Sequence, residues 1–231
     1  MSDSSIELLS VIIDFSTHSL VNVDPECFAQ WINVDVLEFI CSFLLLSNQN
    51  QVHVTFVDST KCNLIYSSPI HHSIIDLSDF KDTFHRAYEN TLISEAKNYP
   101  SGINEIKETL SLLPNAVSLS LLKLERIKRE NPNTFFSSRI LCITSSTLSK
   151  SIHQQLMNAS FSAKKSNTLI DCIALWNHCI SLHQAANNSG GKYVCLASPN
   201  YKSFLNESIL PLLNVYYCLY HFRVYFYYLP K

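Results

Sequence analysis

Asp14, Ser16 and His18 stand two apart at the end of the run "LSVIIDFSTH". An acid and a hydroxyl at the tip of a buried strand are the start of a magnesium site. That ion takes hard oxygen ligands in octahedral geometry, with carboxylates supplying charge. The third position of the spacing, His18, offers a nitrogen, which suits softer metals better. A second cluster, Cys172, His178, Cys179 and His183, falls within twelve residues. Cys179 and His183 are four apart and could share a helix face around zinc. Against this, Cys172 sits in the middle of a strand-like run, and no C-x-x-C pair occurs anywhere, so core cysteines and surface histidines are expected. Ser145 and His178 could meet across neighbouring strand tips as nucleophile and base. Yet there is no G-x-S-x-G elbow and no third group to orient the base, so no catalytic residue is expected. His71-His72 lies in a Ser/Pro-flanked loop and reads as solvated surface.

The elements that would position these groups follow from periodicity. "LLSVIIDF" (8–15) is nearly continuous in apolar and β-branched residues, as a central parallel strand buried on both faces requires. Residues 20–34 read as loop, with Asp24-Pro25 as a turn signal. From Val34 to Ser47 the apolar positions Val36, Leu37, Ile40, Phe43 and Leu44 fit a buried helix. "QVHVTFVD" (51–58) alternates and ends in a turn, and "CNLIYSS" (62–68) is its hairpin partner. The stretch 76–133 is helical: Asp79 with Asp82 forms a loose capping pattern, Pro100-Ser101-Gly102 breaks the run, "INEIKETLSLL" and "NAVSLSLLKLERIKRE" are amphipathic, and Asn131-Pro132-Asn133 stops the last helix. The charges from Glu125 to Glu130 read as a solvated helix end. Strand and helix then alternate. "SRILCITSS" is a strand, and "LSKSIHQQLMNASFSAKK" is a helix with Ile152, Leu156, Ala159 and Phe161 inward. "TLIDCIALW" is a strand, and "CISLHQAANNSGG" is a helix closed by Gly190 and Gly191. "KYVCLA" is a short strand, followed by a final helix in "NYKSFLNESILPLL". This order predicts one open, mainly parallel sheet with helices on both faces. Its strands are 8–14, 51–57, 139–144, 169–175 and 192–196, with 62–67 antiparallel at an edge. In such a sheet the ligand crevice lies beyond the carboxyl ends of the strands. Those ends carry Asp14-Phe15-Ser16, Asp58-Ser59-Thr60, Thr144-Ser145-Ser146 and Trp176-Asn177-His178.

Composition narrows the choice of function. Of 231 residues 47% are hydrophobic and 16% charged, enough apolar material for a core. Net charge is −2, so bulk electrostatics give no reason to expect nucleic-acid binding. Three glycines, with no G-x-G-x-x-G or P-loop pattern, argue against a phosphate cradle. The eight cysteines fall mostly in apolar runs, which suits a reducing, intracellular compartment. The first residues carry no signal-peptide pattern, and no apolar run reaches the ~20 residues of a membrane helix.

The D-x-S strand tip in an α/β sheet with one hairpin strand resembles a von Willebrand A domain. The second half is more specific. "SRILCITSS", "MNASFSAKK" from Met157, "IDC" from Ile170 and "LHQAANNSGGKY" from Leu182 resemble, in order and spacing, the general transcription factor IIH subunit 3 family. That is the family of the smaller von Willebrand A-like subunit of core TFIIH, and the likeness runs over about residues 6–213. The resemblance implies a von Willebrand A-like (Rossmann-type) domain over 1–213. It also implies a nuclear, non-catalytic scaffold subunit of the TFIIH core, acting in RNA polymerase II transcription initiation and nucleotide excision repair. The implied partners are the larger von Willebrand A-like TFIIH subunit and other core subunits, with no sequence-specific contact to nucleic acid and no membrane. The alternative is a metal-dependent von Willebrand A-type ligand-binding or adhesion domain, which Asp14-x-Ser16 alone favours. In the von Willebrand A pattern the metal is held by an Asp and two hydroxyls of the first strand tip, a Thr from a middle loop and an Asp after the fourth strand. Here His18 replaces the second hydroxyl and Ser145 stands where that last Asp would be. The expectation is no metal, with Asp14 and Ser16 hydrogen-bonding loop amides to cap the crevice. The family also ends in a four-cysteine zinc finger. After Pro211 this sequence offers Cys218 and His221, so no zinc and no other cofactor are expected, and 214–231 is an aromatic-rich tail in the finger's place.

Overall fold

The computed structural model describes residues 6–16, 25–68, 76–98, 111–145, 150–175 and 178–196. In chain order the elements are β1 (Ile6–Asp14), α1 (Pro25–Gln30), a π-helical turn (Trp31–Val36), α2 (Leu37–Leu46), β2 (Gln51–Val57), β3 (Cys62–Ser67), α3 (Leu77–Asn98), α4 (Leu113–Glu130), β4 (Phe136–Thr144), α5 (Lys150–Lys165), β5 (Thr168–Leu175), α6 (Ile180–Ser189) and β6 (Tyr193–Leu196). They build one six-stranded sheet of order β3-β2-β1-β4-β5-β6. Every neighbouring pair is parallel except β2 with β3, which is antiparallel at the edge. The mainly parallel sheet with one antiparallel edge strand is the architecture expected from the alternation of patterns.

Two apolar layers flank the sheet. On one face Leu9, Val11, Ile13, Val52, Val54 and Phe56 meet Trp31, Ile32, Ile40, Phe43, Phe80 and Phe84 from α1 to α3. On the other, Leu8, Ile12, Ile140, Cys142, Ile170 and Cys172 meet α4, α5 and α6. β1 lies between β2 and β4 and is buried on both faces, which is why its sequence does not alternate.

Several expectations need correction. Residues 25–34, read as loop, belong to a helical run that continues to Leu46. Pro25 starts that run rather than breaking it, because proline's fixed φ suits a first helical turn. Within it the π turn re-phases the helix, so that Trp31 and Ile32 as well as Val36 and Leu37 reach the core. Phe28–Leu46 is long and apolar enough to cross a membrane, but it packs on the sheet through those residues and Phe39, Ile40, Phe43 and Leu44. The cap of α3 is Asp76, not Asp79: its Oδ1 accepts the amides of Ser78 (2.9 Å) and Asp79 (3.3 Å). Phe161 is not inward but 54% exposed; the core positions of α5 are Ile152, Leu156, Ala159 and Ala163, and Phe161 falls off that stripe. Strands β1, β4 and β5 begin earlier than predicted, at Ile6, Phe136 and Thr168, and β6 begins one residue later, at Tyr193. α4 starts at Leu113, and of the preceding amphipathic run 103–110 lies outside the described residues. So do His18, His71, His72, Ser146, Trp176, Asn177, the expected final helix and tail, and the expected boundary near 213.

Candidate functional site

Three strand tips come together at the carboxyl end of the sheet. Phe15 fixes the first. Its side chain is fully buried, with ring centroids 4.8 Å from Phe56 and 5.7 Å from both Phe28 and Tyr88, and its amide donates to the Val57 carbonyl at 2.7 Å. The middle residue of D-x-S is thus an aromatic anchor, and it holds Asp14 and Ser16 in place on either side.

Asp14 is 1% exposed. Its Oδ1 accepts the Ser16 amide at 2.9 Å and its Oδ2 accepts the Thr144 hydroxyl from the β4 tip at 2.8 Å. The expectation that Asp14 binds a loop amide holds. The parallel expectation for the Ser16 side chain does not, because its hydroxyl is buried with no partner among the described residues. Ser145 follows Thr144 at the same tip, 3% exposed.

The β2 tip is a second knot. Asp58 Oδ1 accepts the Thr60 amide and hydroxyl, both at 2.7 Å, and the Lys61 amide at 2.8 Å, closing the turn to β3. Asp58 is fully buried and its Oδ2 has no partner among the described residues. Glu95 of α3 clamps the same turn, its carboxylate accepting the Ser59 amide and hydroxyl at 2.7 Å each. Cys62 opens β3 with its thiol 3.6 Å from the Leu112 carbonyl, and burial first, then the charges of Asp58 and Asp14, push that thiol up from its ordinary value.

A hard cation here would meet the Asp14 carboxylate, both of whose oxygens already accept hydrogen bonds, and hydroxyls from Ser16, Thr144 and Ser145. No group of three His, Cys, Asp or Glu residues able to hold an ion occurs among the described residues. The set of donors fits a hydrogen-bonded tip better than an octahedral metal site.

The second cluster assembles differently from a zinc site. Cys172 lies in β5 opposite Cys142; hydrogen bonding with Cys142 and burial raise its thiol well above the ordinary value. A thiol held protonated is a poor nucleophile and a poor ligand. Cys179 precedes α6 and is buried, and its amide donates to the Tyr193 hydroxyl at 2.8 Å. His178 and His183 are surface residues whose rings lie 5.7 Å apart and pack on Tyr193 at 5.2 and 4.9 Å. They wrap an aromatic ring rather than converge on a metal or a serine.

The motifs that carried the family resemblance prove to be fastenings. Arg139 of "SRIL" donates to Asp171 of "IDC" at 2.8 Å, and the other oxygen of Asp171 accepts the Lys192 amide at 2.7 Å. Gly190 takes the left-handed conformation, φ +84°, that ends α6. At Gly191 a Cβ would sit 2.0 Å from the Ile170 carbonyl oxygen, so only glycine lets the chain pass β5 there. The Asn188 amide group of α6 reaches Met157 Sδ (3.5 Å) and Ser160 Oγ (3.4 Å) of α5.

Comparison with known proteins agrees. No curated protein sequence matches the chain. Among solved structures, the TFIIH p34 N-terminal domain superposes with a TM-score of 0.67 at 19% identity, covering 91% of this chain and all of that one. A von Willebrand factor type A protein from Catenulispora acidiphila gives 0.58 at 14% identity over 90% of this chain and 42% of that one. The SpRpn10 VWA domain gives 0.54 at 15% identity over 88% and 95%. At these identities the structures establish the fold, a von Willebrand A-like α/β domain. The family model for transcription factor Tfb4 matches residues 6–210, a range that includes every described residue, and the chain belongs to that family, the smaller von Willebrand A-like subunits of TFIIH.

Proposed function

We propose that this chain is a non-catalytic scaffold subunit of the TFIIH core. It works in the nucleus, in RNA polymerase II transcription initiation and nucleotide excision repair, through contacts with the larger von Willebrand A-like subunit and other core subunits. Membership of the Tfb4 family supports the assembly. The observation that carries the non-catalytic part is the state of the strand tips. Asp14 is spent on Ser16 and Thr144, Asp58 Oδ1 on the β2–β3 turn, Glu95 on Ser59, and the place after β4 for a second carboxylate is Ser145. A crevice closed by its own hydrogen bonds positions surfaces, and needs neither metal nor other cofactor to keep its shape. The test is recovery of a tagged chain from nuclear extract followed by mass spectrometry. TFIIH core subunits are expected in near-stoichiometric amounts. Their absence, with a tagged chain that is soluble and monodisperse alone, would remove the scaffold reading.

One pair of atoms favours a second reading, a metal-dependent ligand-binding domain: the Ser16 hydroxyl and Asp58 Oδ2, both buried without partners among the described residues. A magnesium titration separates the two readings.

A further inference from the structure

The strongest unexplained polar group lies away from the strand tips. His53 of β2 is 2% exposed and neither ring nitrogen has a hydrogen-bond partner among the described residues. A neutral imidazole always carries one N–H donor and one bare acceptor. A buried ring that satisfies neither is costly wherever an apolar side chain would fit.

Its surroundings are ordered in a way that suggests an occupant. β2 alternates, with Val52, Val54 and Phe56 on the α1–α3 face and Gln51, His53 and Thr55 on the α4 face. Ser10 of the neighbouring strand shares that second face and donates to Ser120 of α4 at 2.9 Å. On the outer side β3 puts Leu64 and Ser67 on the same face, opposite Thr55 and His53. α4 covers β1 and β4 but leaves a pocket of about 470 Å³ over the edge strands, lined by His53, Ser67, Leu122, Lys123, Arg126 and Glu130. Two cations stand at its wall. Lys123 reaches Ser67 Oγ at 2.9 Å, and Arg126 pairs with Glu130 at 2.7 Å in an exposed bridge. Leu64, Leu119 and Leu122 are 52%, 55% and 69% exposed; Leu122 lines the pocket, Leu119 sits one turn earlier near it on α4, and Leu64 is on the sheet face.

We propose that this pocket between α4 and the β2–β3 edge is a docking site for a partner-protein segment that presents one carboxylate side chain between leucine-like neighbours. The carboxylate sits against Lys123 and Arg126 with His53 as the floor, and its neighbours cover Leu64, Leu119 and Leu122. Charge complementarity selects the acid, since two cations face one displaceable carboxylate, Glu130. The apolar rim selects a protein segment over a free anion. A carboxylate oxygen also supplies the acceptor that the imidazole N–H of His53 lacks among the described residues, and a charged acceptor for Lys123 in place of the Ser67 hydroxyl.

The proposal deepens the scaffold reading, and the experiment keeps the two apart. The protein, labelled with 15N in its histidines, is titrated to 10 mM with acetyl-Leu-Glu-Leu-amide, with acetyl-Leu-Gln-Leu-amide and with inorganic phosphate. The His53 signals are assigned by their loss in His53→Asn. A saturable shift is expected with the Glu peptide, weakened at least about tenfold by Glu→Gln in the peptide or by the double variant Lys123→Gln/Arg126→Gln, whose half-buried and exposed positions keep the side-chain stems and leave the fold intact. Equal responses to the Glu and Gln peptides, no saturable response, or phosphate binding as tightly as the Glu peptide each overturn it. The double variant also enters the extract pull-down beside the parent chain. Subunits recovered by the parent with a negative titration overturn the pocket alone, whereas a Glu-selective titration with no subunits recovered overturns the scaffold reading alone.

Discussion

Asp171→Ala should cost this fold about 3 kcal/mol. Asp171 is 1% exposed and its carboxylate joins three strands: Oδ2 takes Arg139 of β4 at 2.8 Å, and Oδ1 takes the Lys192 amide at the start of β6 at 2.7 Å. Removing one member of a buried ion pair typically costs about 3–5 kcal/mol, because the other charge is left uncompensated. The Arg139 side chain is 18% exposed, so water recovers part of that loss and the lower end applies. Lys192 is at the surface, so its orphaned amide adds little. Asp171→Asn keeps an acceptor for Lys192 and loses only the charge; about 1.5–2 kcal/mol is expected. Urea denaturation followed by circular dichroism reads both, with the m value unchanged. At roughly 2–4 °C per kcal/mol for a domain this size, the Ala variant melts about 6–12 °C lower. A double-mutant cycle with Arg139→Met should return a coupling above about 1 kcal/mol. An Ala variant within about 1 kcal/mol of the parent, or a coupling near zero, would refute the claim that this residue fastens the sheet edge.

Three further outcomes follow from the same geometry. Gly191→Ala should destabilise more than Gly190→Ala in the same urea melts: the first drives a Cβ to 2.0 Å from a backbone oxygen, whereas the second meets only Leu169 Cδ2 at 3.6 Å and pays about 1–2 kcal/mol for its left-handed φ. Glu7 is raised by burial from 4.5 to about 7, with Arg139 opposing, so between those values the folded chain keeps a proton that the unfolded chain has lost and stability falls as pH rises. Glu7→Gln should therefore gain on the parent from pH 4.5 to 7 and level off above; parallel stability curves would count against it. Magnesium at tens of millimolar should leave the melting temperature where matched sodium ionic strength leaves it, since a millimolar site would add about 1–2 kcal/mol. A clear rise would favour the metal-dependent reading, and Ser145→Asp is the variant expected to create weak binding.

The sheet was legible because its strands are coded by residue type at every position. β2 and β3 have the bounds that "QVHVTFV" and "CNLIYS" announce, since alternation and a two-sided turn leave little freedom. The helices were less so. Asp24-Pro25 is equally good chemistry for a turn and for a helix start, and only the burial of Phe28, Trp31 and Ile32 decides it. Phe161 was misplaced because size argued for the core while the spacing of Ile152, Leu156, Ala159 and Ala163 argued against it; the spacing won. At the tips, Asp14 with Thr144 could be placed from the topology alone. Glu95 could not, because its contact with Ser59 spans 36 positions and nothing local in "LISEAKN" marks it. The His53 pocket did leave a trace, the polar half of an alternating strand, but that pattern ordinarily means a solvated face. That α4 buries it without satisfying it is a tertiary fact.

Where this fold leaves polar groups satisfied and where it does not supports the scaffold role proposed above. A chemical site keeps groups poised, with perturbed ionisation and an open position at the place of reaction. Here the crevice that serves ligands in α/β sheets is narrowed by Asp14–Thr144 and Asp58–Lys61 hydrogen bonds and stiffened by Phe15, and the Cys62 thiol beside Asp58 is pushed up rather than activated. At the tips the Ser16 hydroxyl and Asp58 Oδ2 keep unspent capacity, but at the sheet's antiparallel edge, between β3 and α4, a whole imidazole without a partner among the described residues, His53, lies beside the exposed Leu64, Leu119 and Leu122. A free edge strand with exposed apolar residues is a hazard in an isolated protein, and other proteins blunt it with charge, bulges or a covering element. This edge has a register shift at Val54/Thr55 and two cations beside it, but no covering helix on the α4 side of β3 among the described residues. An edge left uncovered by the described residues, with a leftover donor, is tolerable if the chain works assembled as proposed above, and it points the search for partner contacts to β3 and α4 rather than to the tip where the D-x-S motif first drew attention.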